Sequence, residues 1–224
     1  MTKLKICGIK ESSTLQLLHE LAVDYVGFVF APSKRQVTAQ EVKAMLTQVS
    51  GYPYPVGVMV NPTLGEIESI MQQVPLHAVQ LHGQETPDFC EQVRRRFGVE
   101  VWKAISVREE ATDEFSEIKK YTPYVQSVLF DTHDPKVAGG TGRRFSWEQI
   151  PQLQRETGDT PYFIAGGINL ENVRELLQGY HPFGVDISSG VETDGKKDET
   201  KIRQFVERVR ENDQHNVRLS NVSR

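Results

Sequence analysis

The stretch Gly184–Gly190, GVDISSG, joins a short apolar run to a turn of small residues, and Tyr162–Gly167, YFIAGG, repeats this design one unit earlier. Each apolar run is too short for a helix and is followed directly by glycine or serine. Strands that are buried on both faces of a parallel sheet have this composition. The two stretches therefore predict consecutive parallel strands that end in tight, small-residue turns.

Similar apolar runs recur toward the N-terminus and alternate with amphipathic helical segments. Strict alternation of this kind fits either an open doubly wound sheet or a closed barrel. Eight units within 224 residues, with glycine-rich turns late in the chain, favour the closed form, a single (β/α)8 TIM barrel of the α/β class. The eight predicted strands are Leu4–Cys7, Tyr25–Phe30, Pro55–Val60, Ala78–Leu81, Val101–Ile105, Val125–Phe130, Tyr162–Ala165 and Gly184–Ile187.

Several helix starts between the runs carry local capping signals. Thr38 and Thr63 each begin a T-x-x-E capping box, and Thr86 precedes Pro87 at a first helical position. The helix after Thr112 has the weakest signal. We expect one barrel domain over residues 1–211, followed by a polar, aperiodic tail at 212–224 that frays.

Composition and charge exclude several classes of protein. The chain is 38% hydrophobic and 25% charged, as in globular domains with a sizeable core. A formal net charge of -4 offers no basic field for nucleic acid or an anionic membrane. No apolar run has the length of a membrane span, and the first 30 residues lack a signal-peptide core. We therefore expect a cytoplasmic protein, monomeric, with a small-molecule substrate.

The two cysteines, Cys7 and Cys90, lack metal-ligand spacing, and the cytosol does not favour a disulfide between them. A buried cysteine usually behaves as a small hydrophobic residue, and Cys90 fits this description on its amphipathic helix. Cys7 differs because it ends the first strand, and active sites of barrels lie at the C-terminal ends of the strands. A thiol with an ordinary pKa of about 8.5 could serve as a base after a modest downward shift.

Other chemically active residues also follow predicted strands. Asp131 comes directly after Phe130. A structural hydrogen bond would explain it if it stood alone, but together with Cys7 it indicates an acid/base pair for proton transfer. Arg35, after strand two, could clamp a substrate carboxylate or be an exposed loop charge. His82 favours a hydrogen-bonding or packing role over catalysis, and Lys103 could point inward or outward.

Three small-residue turns follow the last three strands and together favour a phosphate site. Glycines allow backbone N–H groups to approach an anion closely, and barrels often bind phosphate after strands seven and eight. A single Gly-Gly pair would be explained by a tight turn alone. The three turns contain Gly140, Thr141 and Gly142; Gly166 and Gly167, before a helix capped near Asn169; and Ser188, Ser189 and Gly190, which could open a short helix before Glu192.

Ordered motifs from residue 3 to about 209 resemble the phosphoribosylanthranilate isomerase family. Lys5–Ile9, KICGI, resembles its first-strand signature, and Ser33-Lys34-Arg35 replaces the family's more usual Ser-Pro-Arg. The other matching motifs are Gly27–Phe30, Val56–Asn61, Val79–Gly83, Val101–Ile105, Phe130–Thr132, Gly139–Gly142, Ala165–Ile168, Val185–Glu192 and Gly195–Asp198.

This resemblance implies an enzyme of tryptophan biosynthesis. Its reaction converts N-(5'-phosphoribosyl)anthranilate into 1-(2-carboxyphenylamino)-1-deoxyribulose 5-phosphate by an Amadori rearrangement. The resemblance implies Cys7 as general base, Asp131 as general acid and Arg35 on the anthranilate carboxylate, with the three turns on the phosphate and His82 among the substrate-binding residues. No metal or cofactor is implied, because the cationic Schiff base is itself the electron sink.

Other readings remain for a phosphate-binding barrel, because one fold hosts many functions. Indole-glycerol-phosphate synthase chemistry would require a lysine and glutamates at strand ends. A pentose-phosphate epimerase would require metal-binding histidines and aspartates, and His82 has no evident histidine partner. A non-catalytic phosphosugar-binding barrel would have no need of both Cys7 and Asp131.

Overall fold

The computed structural model describes residues 1–107, 114–132 and 146–222. Within these ranges, strands and helices alternate along the chain. The barrel strands are β1 Lys3–Cys7, β2 Tyr25–Val29, β3 Tyr54–Met59, β4 Ala78–Leu81, β5 Glu100–Val107, β6 Ser127–Thr132, β7 Tyr162–Ile164 and β8 Gly184–Ile187. The helices are α1 Ser12–Glu20, α2 Ala39–Gln48, α3 Leu64–Met71, α4 Pro87–Phe97, α5 Glu114–Tyr121, α6 Ile150–Thr157, α7 Val173–Tyr180 and α8 Glu199–Val222. A short hairpin, β9 Glu192–Thr193 and β10 Lys196–Lys197, precedes α8.

The eight barrel strands, β1 to β8, form a closed barrel in sequence order. All neighbouring pairs are parallel, and β1 closes the ring against β8, with Lys5 opposite Asp186. This pairing confirms the predicted single (β/α)8 barrel and excludes the open doubly wound sheet, in which the first and last strands would not meet.

Local sequence signals set the helix starts that were predicted. The Thr38 and Thr63 side chains each accept a hydrogen bond from the backbone N–H of the glutamate three residues later, which completes both capping boxes. The Thr86 side chain caps α4 by accepting from the Phe89 backbone N–H, with Pro87 in the first turn. The weakly signalled helix is present as α5, and Thr112 itself lies outside the described residues.

The predicted fraying from residue 212 is wrong, because α8 continues through this boundary to Val222. Asn212 and Asp213 are buried. The Asp213 carboxylate accepts hydrogen bonds from the Thr2 backbone N–H at 3.0 Å and from the Thr2 hydroxyl at 2.8 Å. This contact joins the two ends of the chain, so no local pattern in the polar segment could reveal it.

The alternation of side chains along each strand divides the core into two layers. Outward residues such as Leu4, Ile6 and Val26 pack beneath the helices. The barrel interior contains an apolar cluster in which Trp102 stacks on Phe163, with ring centroids 4.7 Å apart. Gly184 leaves room for this packing, since a Cβ there would lie 2.3 Å from the Phe163 ring. Lys5, Cys7 and Asp186 lie on the inward side, so the first and last strands place charged and polar side chains inside the barrel.

Candidate active site

The C-terminal ends of the strands bring together most of the residues singled out from the sequence. Cys7 ends β1, and Asp131 lies one residue before the end of β6. His82 follows β4 directly, and Ser188 follows β8. Arg35 lies in the connection between β2 and α2. The predicted phosphate residues Gly140, Thr141 and Gly142 lie outside the described residues.

The Cys7 thiol is enclosed by its own strand and both neighbouring strands. Only 8% of the residue is exposed, and a Cβ at Gly27 of β2 would lie 2.6 Å from Sγ. On the other side, the Ser188 hydroxyl donates to the Cys7 carbonyl at 3.0 Å. Glycine at position 27 therefore provides the space that the sulfur occupies.

Burial raises the pKa of the Cys7 thiol above its ordinary value, and the Lys5 and Lys197 ammonium groups oppose that rise only in part. The modest downward shift of this pKa that a thiolate base would need is therefore not present in the structure. The reason is desolvation: the inward position that aims the sulfur at the barrel mouth also removes water that would stabilise a thiolate.

Asp131 contacts His82 across the barrel mouth. The distance from His82 Nε2 to Asp131 Oδ2 is 3.3 Å, and the Gln80 amide nitrogen lies 3.2 Å from His82 Nδ1. When that amide donates to Nδ1, a neutral imidazole carries its proton on Nε2, facing the carboxylate. The structure thus confirms the predicted hydrogen-bonding role of His82 and connects it to the residue predicted as the acid.

Arg35 is mostly shielded from solvent and held in an ion pair, so the exposed-loop reading of this arginine is wrong. Its side chain is only 11% exposed. The guanidinium grips Glu192 with both Nε and Nη2, at 2.7 and 2.9 Å from the two carboxylate oxygens. Gly8 allows the close approach, because a Cβ there would lie 2.4 Å from Arg35 Cδ.

Glu192 also binds Lys197, which connects the hairpin to the end of β8. The Lys197 ammonium donates to Glu192 at 2.8 Å and to the Ser188 carbonyl at 2.9 Å. Burial alone would raise the pKa of Glu192, but hydrogen bonds from Arg35 and Lys197 hold it at about 2. Burial lowers the pKa of Lys197, and Glu192 offsets this effect in part. Glu192 therefore stays ionised between two cations.

Two of the three small-residue turns fall within the part of the chain that the structure describes, and they follow the adjacent strands β7 and β8. Gly166 and Gly167 have φ of 71° and 67°, in the left-handed region that favours glycine. The predicted short helix after β8 is present as a 3₁₀ helix, Ser189–Val191. Gly190 has a packing reason as well, because a Cβ there would lie 2.1 Å from the Ile168 carbonyl oxygen.

The turn after β7 leads into α7 through an asparagine pair. Asn169 Oδ1 accepts from the backbone N–H groups of Glu171 and Asn172. The predicted cap near Asn169 is displaced, because α7 begins at Val173 and its N-cap residue, Asn172, makes no side-chain capping bond. The Asn172 amide in turn donates to the Gly167 carbonyl at 2.9 Å. These bonds hold the glycine turn against the helix start, where backbone N–H groups favour an anion.

Lys103, ambiguous in the sequence, lies on the outward side of β5. Its ammonium is buried and donates to the Gly83 carbonyl at 2.8 Å and to Glu85 at 3.1 Å. Glu85 also accepts from the Gly83 N–H at 2.9 Å. This pair fixes the loop that carries His82 and does not itself enter the barrel mouth.

The described residues include no helix long and apolar enough to cross a bilayer. In the same part of the chain, no group of three or more His, Cys, Asp or Glu side chains is arranged to hold a metal ion.

Comparison with known proteins identifies the family. A family model described as N-(5'phosphoribosyl)anthranilate (PRA) isomerase matches residues 4–208. A Brevibacillus brevis protein named N-(5'-phosphoribosyl)anthranilate isomerase is 57% identical over 215 residues, which cover 96% of each chain. The chain belongs to the phosphoribosylanthranilate isomerase family. This membership confirms the resemblance found in the sequence and places the chain among the isomerases.

Solved structures of this isomerase family have the same barrel. The phosphoribosyl anthranilate isomerase of Thermotoga maritima is similar with a TM-score of 0.83 and 34% identity, covering 94% of this chain and 99% of the other. A second structure is a complex with reduced 1-(o-carboxyphenylamino)-1-deoxyribulose 5-phosphate. Its TM-score is 0.80 at 32% identity, with the same coverage of the two chains.

Sequence reasoning missed four charged residues of this isomerase-family site. Glu192 and Lys197 were part of matching motifs but carried no predicted role, and their partners are distant or lie across a hairpin turn. Lys5 and Asp186 were read as parts of apolar strands. A lysine in KLKIC and an aspartate in GVDIS were nevertheless visible signals, because a charge within a strand buried on both faces needs a partner.

Proposed function

We propose that this chain is an N-(5'-phosphoribosyl)anthranilate isomerase that produces 1-(2-carboxyphenylamino)-1-deoxyribulose 5-phosphate in tryptophan biosynthesis. The observation that carries the proposal is the match to the isomerase family over residues 4–208, which includes both Cys7 and Asp131. A relative's complex with a reduced form of this product supports the same substrate class.

In the proposed mechanism, Asp131 protonates the ring oxygen of the ribose and opens the furanose to a Schiff base. The Cys7 thiolate then removes the proton from C2', and the resulting enolamine tautomerises to the ketone. The cationic Schiff base accepts the electron pair of the broken C–H bond. Support comes from the positions of the two residues at the C-terminal ends of β1 and β6, where barrels place catalytic groups.

His82 is suited to serve Asp131, whose carboxylate must be protonated before each ring opening. Its Nε2 lies 3.3 Å from Asp131 Oδ2 and can return a proton there between turnovers. We therefore assign His82 a proton-delivery or orienting role beside the acid rather than the acid role itself.

Two groups would hold the ends of the substrate. Arg35 would bind the anthranilate carboxylate, using guanidinium N–H groups beyond those that Glu192 engages. The turns at Gly166–Gly167 and Ser188–Gly190 would bind the phosphate through backbone N–H groups, together with Gly140–Gly142. The predicted monomeric state and cytoplasmic location remain predictions.

The test is consumption of the fluorescent anthranilate nucleotide by the purified protein. Phosphoribosylanthranilate should lose its fluorescence at a rate proportional to enzyme concentration, and the product should be identified by mass and by a subsequent ring-closing synthase. Absence of turnover with this substrate, in a folded protein that still binds the reduced product, would instead support a non-catalytic phosphosugar-binding barrel.

A further inference from the structure

A charged pair is buried inside the barrel directly below the Cys7 thiol, and nothing in the proposed mechanism uses it. Lys5 is fully buried, and Asp186 is 8% exposed. Their side chains meet across the β1–β8 seam, with Lys5 Nζ 2.8 Å from Asp186 Oδ2. Taking two charges out of water has a large desolvation cost, which their mutual attraction often fails to recover. Their position calls for a role beyond packing.

The Lys5 ammonium has two acidic neighbours. It donates to Asp186 at 2.8 Å, and the Cys7 thiol lies two residues further along the same inward face of β1. Burial alone would lower the pKa of Lys5, but Asp186 and Cys7 raise it above its ordinary value. The lysine therefore stays cationic in the barrel interior, two residues before Cys7 on the same strand face.

Asp186 carries the opposite charge beside Lys5. One carboxylate oxygen holds Lys5, while Oδ1 is buried and lacks a hydrogen-bond partner among the described residues. A second cation, Lys197 of β10, lies near Cys7: its ammonium donates to the Ser188 carbonyl and hydroxyl, and the Ser188 hydroxyl donates to the Cys7 carbonyl. Lys197 is itself paired with Glu192. On the β2 side, the residue next to the sulfur is Gly27, which has no charged side chain. The thiol thus lies between Lys5 and Lys197, with Asp186 opposing them.

We propose that Lys5 and Asp186 are positioning residues that set the proton affinity of the Cys7 thiol, Lys5 stabilising the thiolate and Asp186 limiting that stabilisation. This inference rests on the proposed function only for its catalytic meaning. Without substrate, the Cys7 thiol ionises less readily than an exposed thiol, because its surroundings exclude water. A merely structural ion pair would have no directional effect on the titration of this thiol.

The test is a titration of Cys7 without substrate, followed by thiolate ultraviolet absorbance and by the rate of iodoacetamide alkylation. A Cys90→Ala background removes the other thiol, whose pKa burial raises to about 11. Subtracting the titration of Cys7→Ser in the same background isolates the Cys7 signal from tyrosine ionisation. Because no turnover is measured, failure of the proposed isomerase activity would leave this experiment unaffected.

Lys5→Met should move the Cys7 titration to higher pH by about 1–3 units, the usual effect of losing an opposite charge at this range. Asp186→Asn should move it to lower pH, because it removes an anion while nearly keeping the shape of the side chain. Lys3→Met is the matched control. Lys3 lies on the same strand but pairs with Asp24 at 2.7 Å, so its loss should leave the titration in place.

Opposite shifts in the two variants support the proposal. If Cys7 titrates at the same pH in Lys5→Met as in the protein with Lys5 intact, the proposal is overturned. Shifts of the same sign in both variants would indicate general loosening of the site and would also overturn the proposal. If Lys5→Met fails to fold, Asp186→Asn decides alone, and an unchanged or alkaline-shifted titration in that variant overturns the proposal. In active variants, the acid limb of kcat/KM should follow the thiol titration.

Discussion

The guanidinium of Arg35 holds the carboxylate of Glu192 in a two-pronged grip, with Nε 2.7 Å from Oε1 and Nη2 2.9 Å from Oε2. The two residues are 157 positions apart in sequence, so this contact joins the loop after β2 to the hairpin after β8. Such a bidentate pair fixes both partners in orientation as well as position. This pair therefore fixes the position of the Arg35 guanidinium at the C-terminal end of the barrel.

The first prediction concerns acid stability and follows from this pair. The pKa of Glu192 falls from an ordinary 4.5 to about 2 in the folded protein. Its contribution to the free energy of unfolding is therefore fully present above pH 4.5 and is lost as the pH falls toward 2. Glu192→Gln should flatten the pH dependence of that free energy within this window, as measured by urea unfolding at several pH values.

The matched control for that measurement is Glu68→Gln. Glu68 pairs with Arg96 at 2.9 Å on the surface, where its side chain is 44% exposed, so water and salt screen the interaction. This variant should keep the wild-type pH dependence. Equal slopes for wild type and Glu192→Gln between pH 4.5 and 2 would show that Glu192 is not ionised through the pair.

The second prediction concerns Cys7 as the base. Cys7→Ser should fold normally and lose ~10²–10⁴-fold in kcat, the usual contribution of a general base, since a hydroxyl is far less acidic than a thiol. Steady-state fluorescence kinetics provide the measurement. Cys90→Ala is the control, because Cys90 is buried in α4 away from the barrel mouth and should not affect kcat. If Cys7→Ser kept most of the wild-type kcat, the base would have to be another group.

The third prediction concerns the pH dependence of turnover. Burial raises the pKa of the Cys7 thiol, so only a small fraction is thiolate at neutral pH in the free enzyme. A reaction that needs the thiolate should therefore show kcat/KM still rising with pH above about 8.5, the ordinary thiol value. The pH profile of kcat/KM for phosphoribosylanthranilate tests this, and a plateau reached well below that value would contradict it.

Much of the fold could be predicted from the sequence, because its signals are local. Capping boxes at Thr38 and Thr63 and the apolar strand runs depend on neighbours within a few residues. The prediction that the chain frays from residue 212 was wrong because the Asp213–Thr2 contact spans 211 positions. The candidate site divides in the same way. Positions such as Cys7 and Asp131 follow from the rule of strand ends, whereas the Arg35–Glu192 and Lys5–Asp186 pairs exist only once the barrel closes.

The fourth prediction concerns Asp131 and His82 as one proton-transfer unit. Asp131→Asn should abolish ring opening while substrate affinity stays within a few-fold, because an amide matches the shape of the carboxyl group but cannot act as an acid. His82→Asn should cost less, since in the proposed mechanism His82 acts through Asp131, whose Oδ2 lies 3.3 Å from His82 Nε2. In the Asp131→Asn background, adding His82→Asn should therefore change kcat little. Fully multiplicative losses would indicate that the two residues act independently.

An Asp131→Asn protein that melts earlier but stays active in its folded fraction would make Asp131 structural.

The last prediction separates Arg35 from the phosphate turns. If Arg35 binds the anthranilate carboxylate, Arg35→Ala should weaken binding of the aryl half by about 1.5–3 kcal/mol, as expected for a charge-assisted contact in a partly desolvated site. Inorganic phosphate should inhibit this variant about as well as the wild type, because backbone N–H groups after β7 and β8 would hold the anion. Competitive inhibition by phosphate and by a reduced product analogue measures the two halves separately.

Two controls make the comparison with Arg35→Ala decisive. Glu192→Gln keeps the arginine but loosens its orientation, so it should weaken the product analogue less than Arg35→Ala does. Gly166→Val should reduce phosphate inhibition, but the backbone φ of 71° at this position strains valine as well, so its folding must be checked by circular dichroism. If Arg35→Ala instead abolished phosphate inhibition and left the aryl contribution intact, Arg35 would belong to the phosphate site, and the carboxylate would need another partner.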